Sequence, residues 1–124
     1  FPLELKRTKP YGYALFNTDA MTTLCHILSD DKESFWDFKL DDGRTLKNAV
    51  DYMHPFVEDK TKWALKPDVM YWNEWPIAHP FLIFGYAKYQ NKAWWDTWQR
   101  LEHFPETEEV IRNLPIRNPL IWME

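Results

Sequence analysis

The stretch Tyr13-Ala14-Leu15-Phe16-Asn17-Thr18-Asp19-Ala20-Met21-Thr22-Thr23-Leu24-Cys25-His26-Ile27-Leu28 contains neither Gly nor Pro. Tyr13, Phe16, Ala20, Thr23 and Ile27 recur at helical intervals, which predicts a helix over residues 13–28. A second stripe carries Asn17, Met21, Leu24 and Leu28. Apolar residues on both sides predict a helix sandwiched between other helices. Cys25 falls in register with Met21, Leu24 and Leu28 and reads as a small buried apolar group.

Working outward, residues 1–12 are polar and Pro-punctuated, an extended entry loop with Lys6, Arg7 and Lys9. Beyond the long helix, Ser29 to Lys32 is a polar break, and Phe35, Trp36 and Phe38 predict a short aromatic turn or helix. Asp41-Asp42-Gly43 signals a turn. Thr45 is suited to cap a helix running to about Phe56, with Leu46, Ala49, Val50 and Met53 on one face and Pro55 as its stop. Residues 58–74 lack a sustained period and read as a loop carrying Trp63, Tyr71 and Trp72. Further helices are expected from Pro76 through Tyr86, from Ala93 to Leu101, and from Thr107 to Leu114. No useful strand alternation occurs. The fold class is therefore all-α, with about five helices joined by aromatic-rich loops.

Composition narrows the function. The 124 residues carry a formal net charge of −4 and no basic run, which argues against a nucleic-acid partner. An anionic ligand needs only a local basic cleft, which net charge does not report. Eight Trp, eight Phe and six Tyr stand against three Gly; such aromatics build cores and also flat platforms for sugars. One Cys excludes an internal disulfide or a Cys-rich zinc site. His26, His54, His79 and His103 show no mutual metal-ligand spacing, so no metal and no cofactor is expected. No apolar run is long enough for a membrane span. The first residue is Phe1, so the chain is expected to begin by processing or truncation, with any export signal upstream.

Glu4-Leu5-Lys6-Arg7 followed by Tyr11-Gly12-Tyr13-Ala14-Leu15-Phe16-Asn17 resembles the "E-L-x-R … Y-x-L-F-N" segment of the alginate-lyase superfamily. Asp42-Gly43-Arg44-Thr45-Leu46 with Ala49-Val50-Asp51-Tyr52 resembles the "D-G-R-S-L … A-L-D-F" stretch that follows it. Lys66-Pro67 and the segment from Trp72 to Phe84 are similar to a later loop and helix. Residues 94–122 look most like members from gut Bacteroidetes, through Val110-Ile111-Arg112-Asn113 and Arg117-Asn118-Pro119.

The resemblance implies the C-terminal part of an (α/α) toroid, an incomplete barrel of helical hairpins, with residues 1–124 belonging to one such domain. Its N-terminal half, bearing an Asn and a His, would be the missing partner, and the isolated piece would be inactive. The implied activity is β-elimination on alginate or another polyuronate, in a periplasmic or secreted protein. Arg7 would neutralise the uronate carboxylate through its planar fork. Tyr13 would transfer the protons, with Tyr11 as its competitor. A phenol ordinarily titrates near pH 10, and a neighbouring cation or helix N-terminus favours its charged form. Glu4, Asn17, Tyr71, Trp72 and His79 are the substrate-binding candidates, with Trp63 and Trp75 as further aromatics for the cleft. A non-catalytic carbohydrate-binding helical domain and a purely structural helical module are the alternatives.

Overall fold

Five α-helices occur among the described residues, 1–123, of the computed structural model, and no strand does. They are α1 (Pro10–Leu28), α2 (Leu46–Glu58), α3 (Pro80–Tyr89), α4 (Lys92–Arg100) and α5 (Glu108–Arg112). The all-α expectation holds. Short 3-10 turns punctuate the connections, at Glu4–Lys6, Phe35–Asp37, Lys60–Lys62, Trp72–Glu74 and Pro119–Trp122. None of the helices is long and apolar enough to cross a membrane.

α3 is the centre of the molecule. Phe81, Leu82, Ile83 and Phe84 have no solvent exposure, and each contributes roughly 1.5–3 kcal/mol by leaving water. α1, α2 and α4 all pack against it. α4 comes close because Gly85 has no side chain: a Cβ there would lie 3.1 Å from the Trp94 ring. α2 adds Val50, Met53 and Val57 to the core.

Two of the helix starts are made locally. Thr45 caps α2 through a reciprocal box with Asn48, and the Asn91 side chain accepts the Ala93 N–H at the start of α4, which meets orphan donors of the first turn. The other two long starts are made by distant carboxylates. α1 begins with Pro10, and Asp68 accepts the N–H groups of Tyr11 (2.8 Å) and Gly12 (3.1 Å). α3 begins with Pro80, and Asp19 accepts the Phe81 N–H (3.0 Å) and also bonds His79 Nδ1 (2.7 Å). A carboxylate at the positive end of a helix is favourable.

Three expectations are corrected. The helix expected from Pro76 starts at Pro80, because residues 76–78 pair in extended form with Glu102: Ala78 N–H donates to the Glu102 carbonyl and Glu102 N–H to that of Pro76. Pro55 does not stop α2, which continues to Glu58; the carbonyl deprived of a donor belongs to Asp51, an exposed residue. The helix of residues 107–114 shortens to five residues.

α1 departs further from its reading. Its buried side is half polar: Thr18, Asp19, Thr22 and Thr23 are buried beside Tyr11, Ala14, Leu15 and Cys25. The Thr18 and Thr22 hydroxyls donate to the carbonyls of Ala14 and Thr18, both at 2.8 Å, so neither is left unpaired. Phe16, Met21, Leu24, Ile27 and Leu28 are exposed instead. Only one side of the expected sandwich is filled by the described residues.

Removing Asp19 strands a backbone N–H and a ring nitrogen in a dry interior. Asp19→Ala should cost about 3 kcal/mol, and Asp68→Ala, at a partly exposed cap, about 1 kcal/mol. Urea unfolding reads both. A loss for Asp19→Ala no larger than that for Asp68→Ala would contradict this account of the α1–α3 contact.

Candidate active site

Residues 1–9 form a short surface turn, tied to the rest of the protein through Phe1 and Glu4 and closed by a bond of its own. Phe1 packs against Tyr52, with ring centroids 5.4 Å apart. Glu4 Oε1 accepts from Asn17 Nδ2 at 2.7 Å, and the Arg7 N–H donates to the Glu4 carbonyl at 3.0 Å. This fixes Arg7 beside the first turn of α1. Its guanidinium carbon lies over the face of the Tyr13 ring, 3.9 Å from the centroid, a cation–π contact. The guanidinium has five N–H donors with which to meet an acceptor.

Arg7 and Tyr13 line the same cavity, of about 440 Å³. One wall is the start of α1, with Lys9, Gly12, Phe16 and Asn17. The rest of the lining comes from later in the chain: Val69, Met70, Trp75 and His79, then Glu109 and Arg112 of α5 and Asn113 after it. The segment 68–70 sits close because of Gly12, where a Cβ would meet Val69 Cγ1 at 2.9 Å and Asp68 Oδ1 at 3.5 Å.

His79 lies at the buried base of this cavity, 1% exposed, between Trp75 and Phe81. Asp19 holds its Nδ1, and its Nε2 is sealed from solvent with no partner. In this form of the protein His79 fastens the wall to α1 and presents no open nitrogen. Trp75 is likewise buried and anchored, its Nε1 donating to the Met70 carbonyl at 2.9 Å.

The remaining candidates lie elsewhere. Tyr11 is 1% exposed, with its ring edge-on to Trp63 (5.2 Å) and Trp72 (4.9 Å). Burial, with Asp68 and Asp19 nearby, pushes its phenol well above the ordinary value, so it stays neutral. Trp72 packs on that core ring, and the Lys60 ammonium donates to its carbonyl and lies 5.1 Å from its ring centroid. Tyr71 is exposed, in the left-handed region with φ 56°. Neither lines the cavity, nor does Trp63. The Glu4 carboxylate engages Asn17 and not the Arg7 side chain. His26 bonds the Trp122 carbonyl, His54 the Thr97 hydroxyl, and His103 packs on Trp98, all away from the cavity. Burial moves His54 below the ordinary imidazole range.

Comparison with known families decides the assignment. The alginate lyase family model matches residues 1–63, just over half the chain. The chain belongs to the alginate lyase family. The matched residues include Arg7, Tyr13 and the whole α1 wall; the later lining residues, from Val69 to Asn113, lie outside the match. No curated protein and no solved structure matches the chain.

Sequence reading missed three contributors to this family member's cavity: Asp19, Arg112 and Asn113. Asp19 did carry a signal. It is the sole carboxylate in a 19-residue helix whose only other titratable groups are Tyr11, Tyr13, Cys25 and His26, and such a lone acid implies a partner in the fold. Arg112 and Asn113 lay in a stretch quoted for its resemblance alone, with no role attached to them.

Gly12→Ala should displace the 68–70 segment and weaken its hold on the first turn of α1. Hydrogen exchange at the Tyr11 and Gly12 amides should accelerate by roughly fivefold or more, equivalent to about 1 kcal/mol. Unchanged protection would show that the close approach is not needed.

Proposed function

We propose that this chain supplies the proton-transfer side of a polysaccharide lyase that cleaves alginate or a related polyuronate by β-elimination. The observation that carries the reading is the Arg7–Tyr13 cation–π pair on the wall of one cavity, within the family-matched residues.

The chemistry follows from the substrate. The C5 proton of a uronate is weakly acidic while the adjacent carboxylate is charged. Arg7 pairs with that carboxylate and stabilises the charge that develops when the proton leaves. Tyr13 takes the C5 proton, the electron pair forms the C4–C5 double bond, and the C4–O4 bond breaks. The same phenol then returns a proton to O4 when both atoms lie on one face of the ring. No cofactor is required for this sequence. Tyr13 is preferred to Tyr11 because Tyr11 is enclosed in the aromatic core. Asn17 acts by holding Glu4 and hence the Arg7 turn, and Trp75 offers the cavity its aromatic wall.

The same reading gives the outer side of α1 a purpose. Phe16, Met21, Leu24 and Leu28, with Phe38 and Leu40 nearby, are exposed apolar residues, beside a groove of about 730 Å³. Contiguous apolar surface of this kind marks an interaction site. In the working enzyme the upstream helices of the same toroid cover it and contribute the Asn and His of the family, and the isolated chain is inactive. Export to the periplasm or the exterior suits a polymeric substrate.

The test is to incubate the complete protein with alginate and with glucuronan and follow the ultraviolet absorbance of the new double bond. Arg7→Ala and Tyr13→Phe should each lower kcat by about a hundredfold or more, and Tyr11→Phe by less than about threefold. Binding without elimination by the folded wild type would favour a carbohydrate-binding module instead. Undiminished elimination by either of the first two variants would remove that residue from the mechanism.

A further inference from the structure

The cavity holds more positive charge than one carboxylate needs. Arg7, Lys9 and Arg112 all line it. Of the two acids on its walls, Asp19 is buried and fully engaged by His79 and the Phe81 N–H. The other, Glu109, binds Arg112 Nε at 2.6 Å. Among the described residues neither Arg7 nor Lys9 has an ion-pair partner. The free cations therefore face an otherwise uncompensated cavity.

Arg112 is also oriented. Glu109 lies 2.6 Å from its Nε, and the side chain is 67% exposed, so the guanidinium is held at one nitrogen and reaches solvent. A guanidinium matches a carboxylate in bidentate geometry. Asn113 braces the same turn, its Nδ2 donating to the Glu109 carbonyl at 2.6 Å. A loose surface arginine would have neither support.

We infer that Arg112 is a second carboxylate-binding residue, which holds the acid group of a neighbouring sugar while Arg7 holds that of the sugar to be cleaved. The inference rests on the lyase reading of the cavity and extends it to substrate class. Two guanidinium sites lining one cavity select polymers in which consecutive rings are uronates. Polymers that alternate a uronate with a neutral sugar satisfy one site and leave the other empty. The Arg112 wall lies outside the family-matched residues, so this selectivity belongs to the later part of the chain.

Calorimetric binding of two probes to the complete protein tests this: a trisaccharide of three consecutive glucuronates, and a hyaluronan oligosaccharide alternating glucuronate with N-acetylglucosamine. The glucuronate trimer should bind at least about tenfold tighter. Arg112→Gln should weaken trimer binding by about tenfold, the value of one charge-assisted pair, and leave the alternating oligosaccharide unaffected. On a cleavable homopolymer the same variant should raise KM with kcat nearly unchanged. Equal affinity of the wild type for both probes, or undiminished trimer binding by Arg112→Gln, would overturn the inference. A wild type that binds the trimer with this Arg112 dependence but never eliminates would sink the lyase reading and keep the two-carboxylate assignment. Arg112 is exposed on a short surface helix, so loss of folding does not confuse the result.

Discussion

A single buried carboxylate organises this molecule. Asp19 projects from α1 into a dry interior and uses both oxygens: one on the His79 ring, one on the backbone N–H that opens α3. A buried charge is costly unless every lone pair is met, so this contact tolerates only one relative placement of the two helices. α1 carries Tyr13 and meets the Arg7 turn. The segment entering α3 carries Trp75 and His79. Fixing α1 against α3 therefore sets the α1 side of the cavity against Trp75 and His79.

The same logic explains which features could be read from the residues alone. Thr45 and Asn48 cap a helix three residues apart, so the start of α2 is legible from its own neighbourhood. The starts of α1 and α3 depend on Asp68 and Asp19, 57 and 62 positions away from the amides they accept. Pro76 and Pro80 are equally good first residues by local criteria, and the pairing with Glu102 chooses between them. Periodicity located α1 and put apolar residues on two sides of it. Phe16, Met21 and Leu24 are exposed, whereas the interior side mixes Thr18, Asp19, Thr22 and Thr23 with Tyr11, Ala14, Leu15 and Cys25.

The site divides in the same way. Arg7 and Tyr13 were legible because they lie six positions apart in a recognisable segment, and the turn through Glu4 and Asn17 folds that spacing into a contact. Tyr71 and Trp72 follow from composition alone, and composition does not distinguish an aromatic that packs on Tyr11 from one that faces a ligand. Trp75, three positions later, faces the cavity. Arg112 sits on a five-residue helix in a stretch read for its resemblance alone, and that it shares a cavity with Arg7 shows only in three dimensions. The family match covers Arg7, Tyr13 and the α1 side of the cavity; the lining residues from Val69 to Asn113 lie outside it.

The account turns on a guanidinium and a phenol acting on the same sugar ring. A crystal structure of the Tyr13→Phe protein with a polyuronate oligosaccharide addresses it most directly. The expected result is a ring carboxylate hydrogen-bonded to the in-plane nitrogens of Arg7, with the C5 hydrogen turned toward the ring at position 13. An oligosaccharide seated on Tyr71 and Trp72, with Arg7 unengaged, would contradict it.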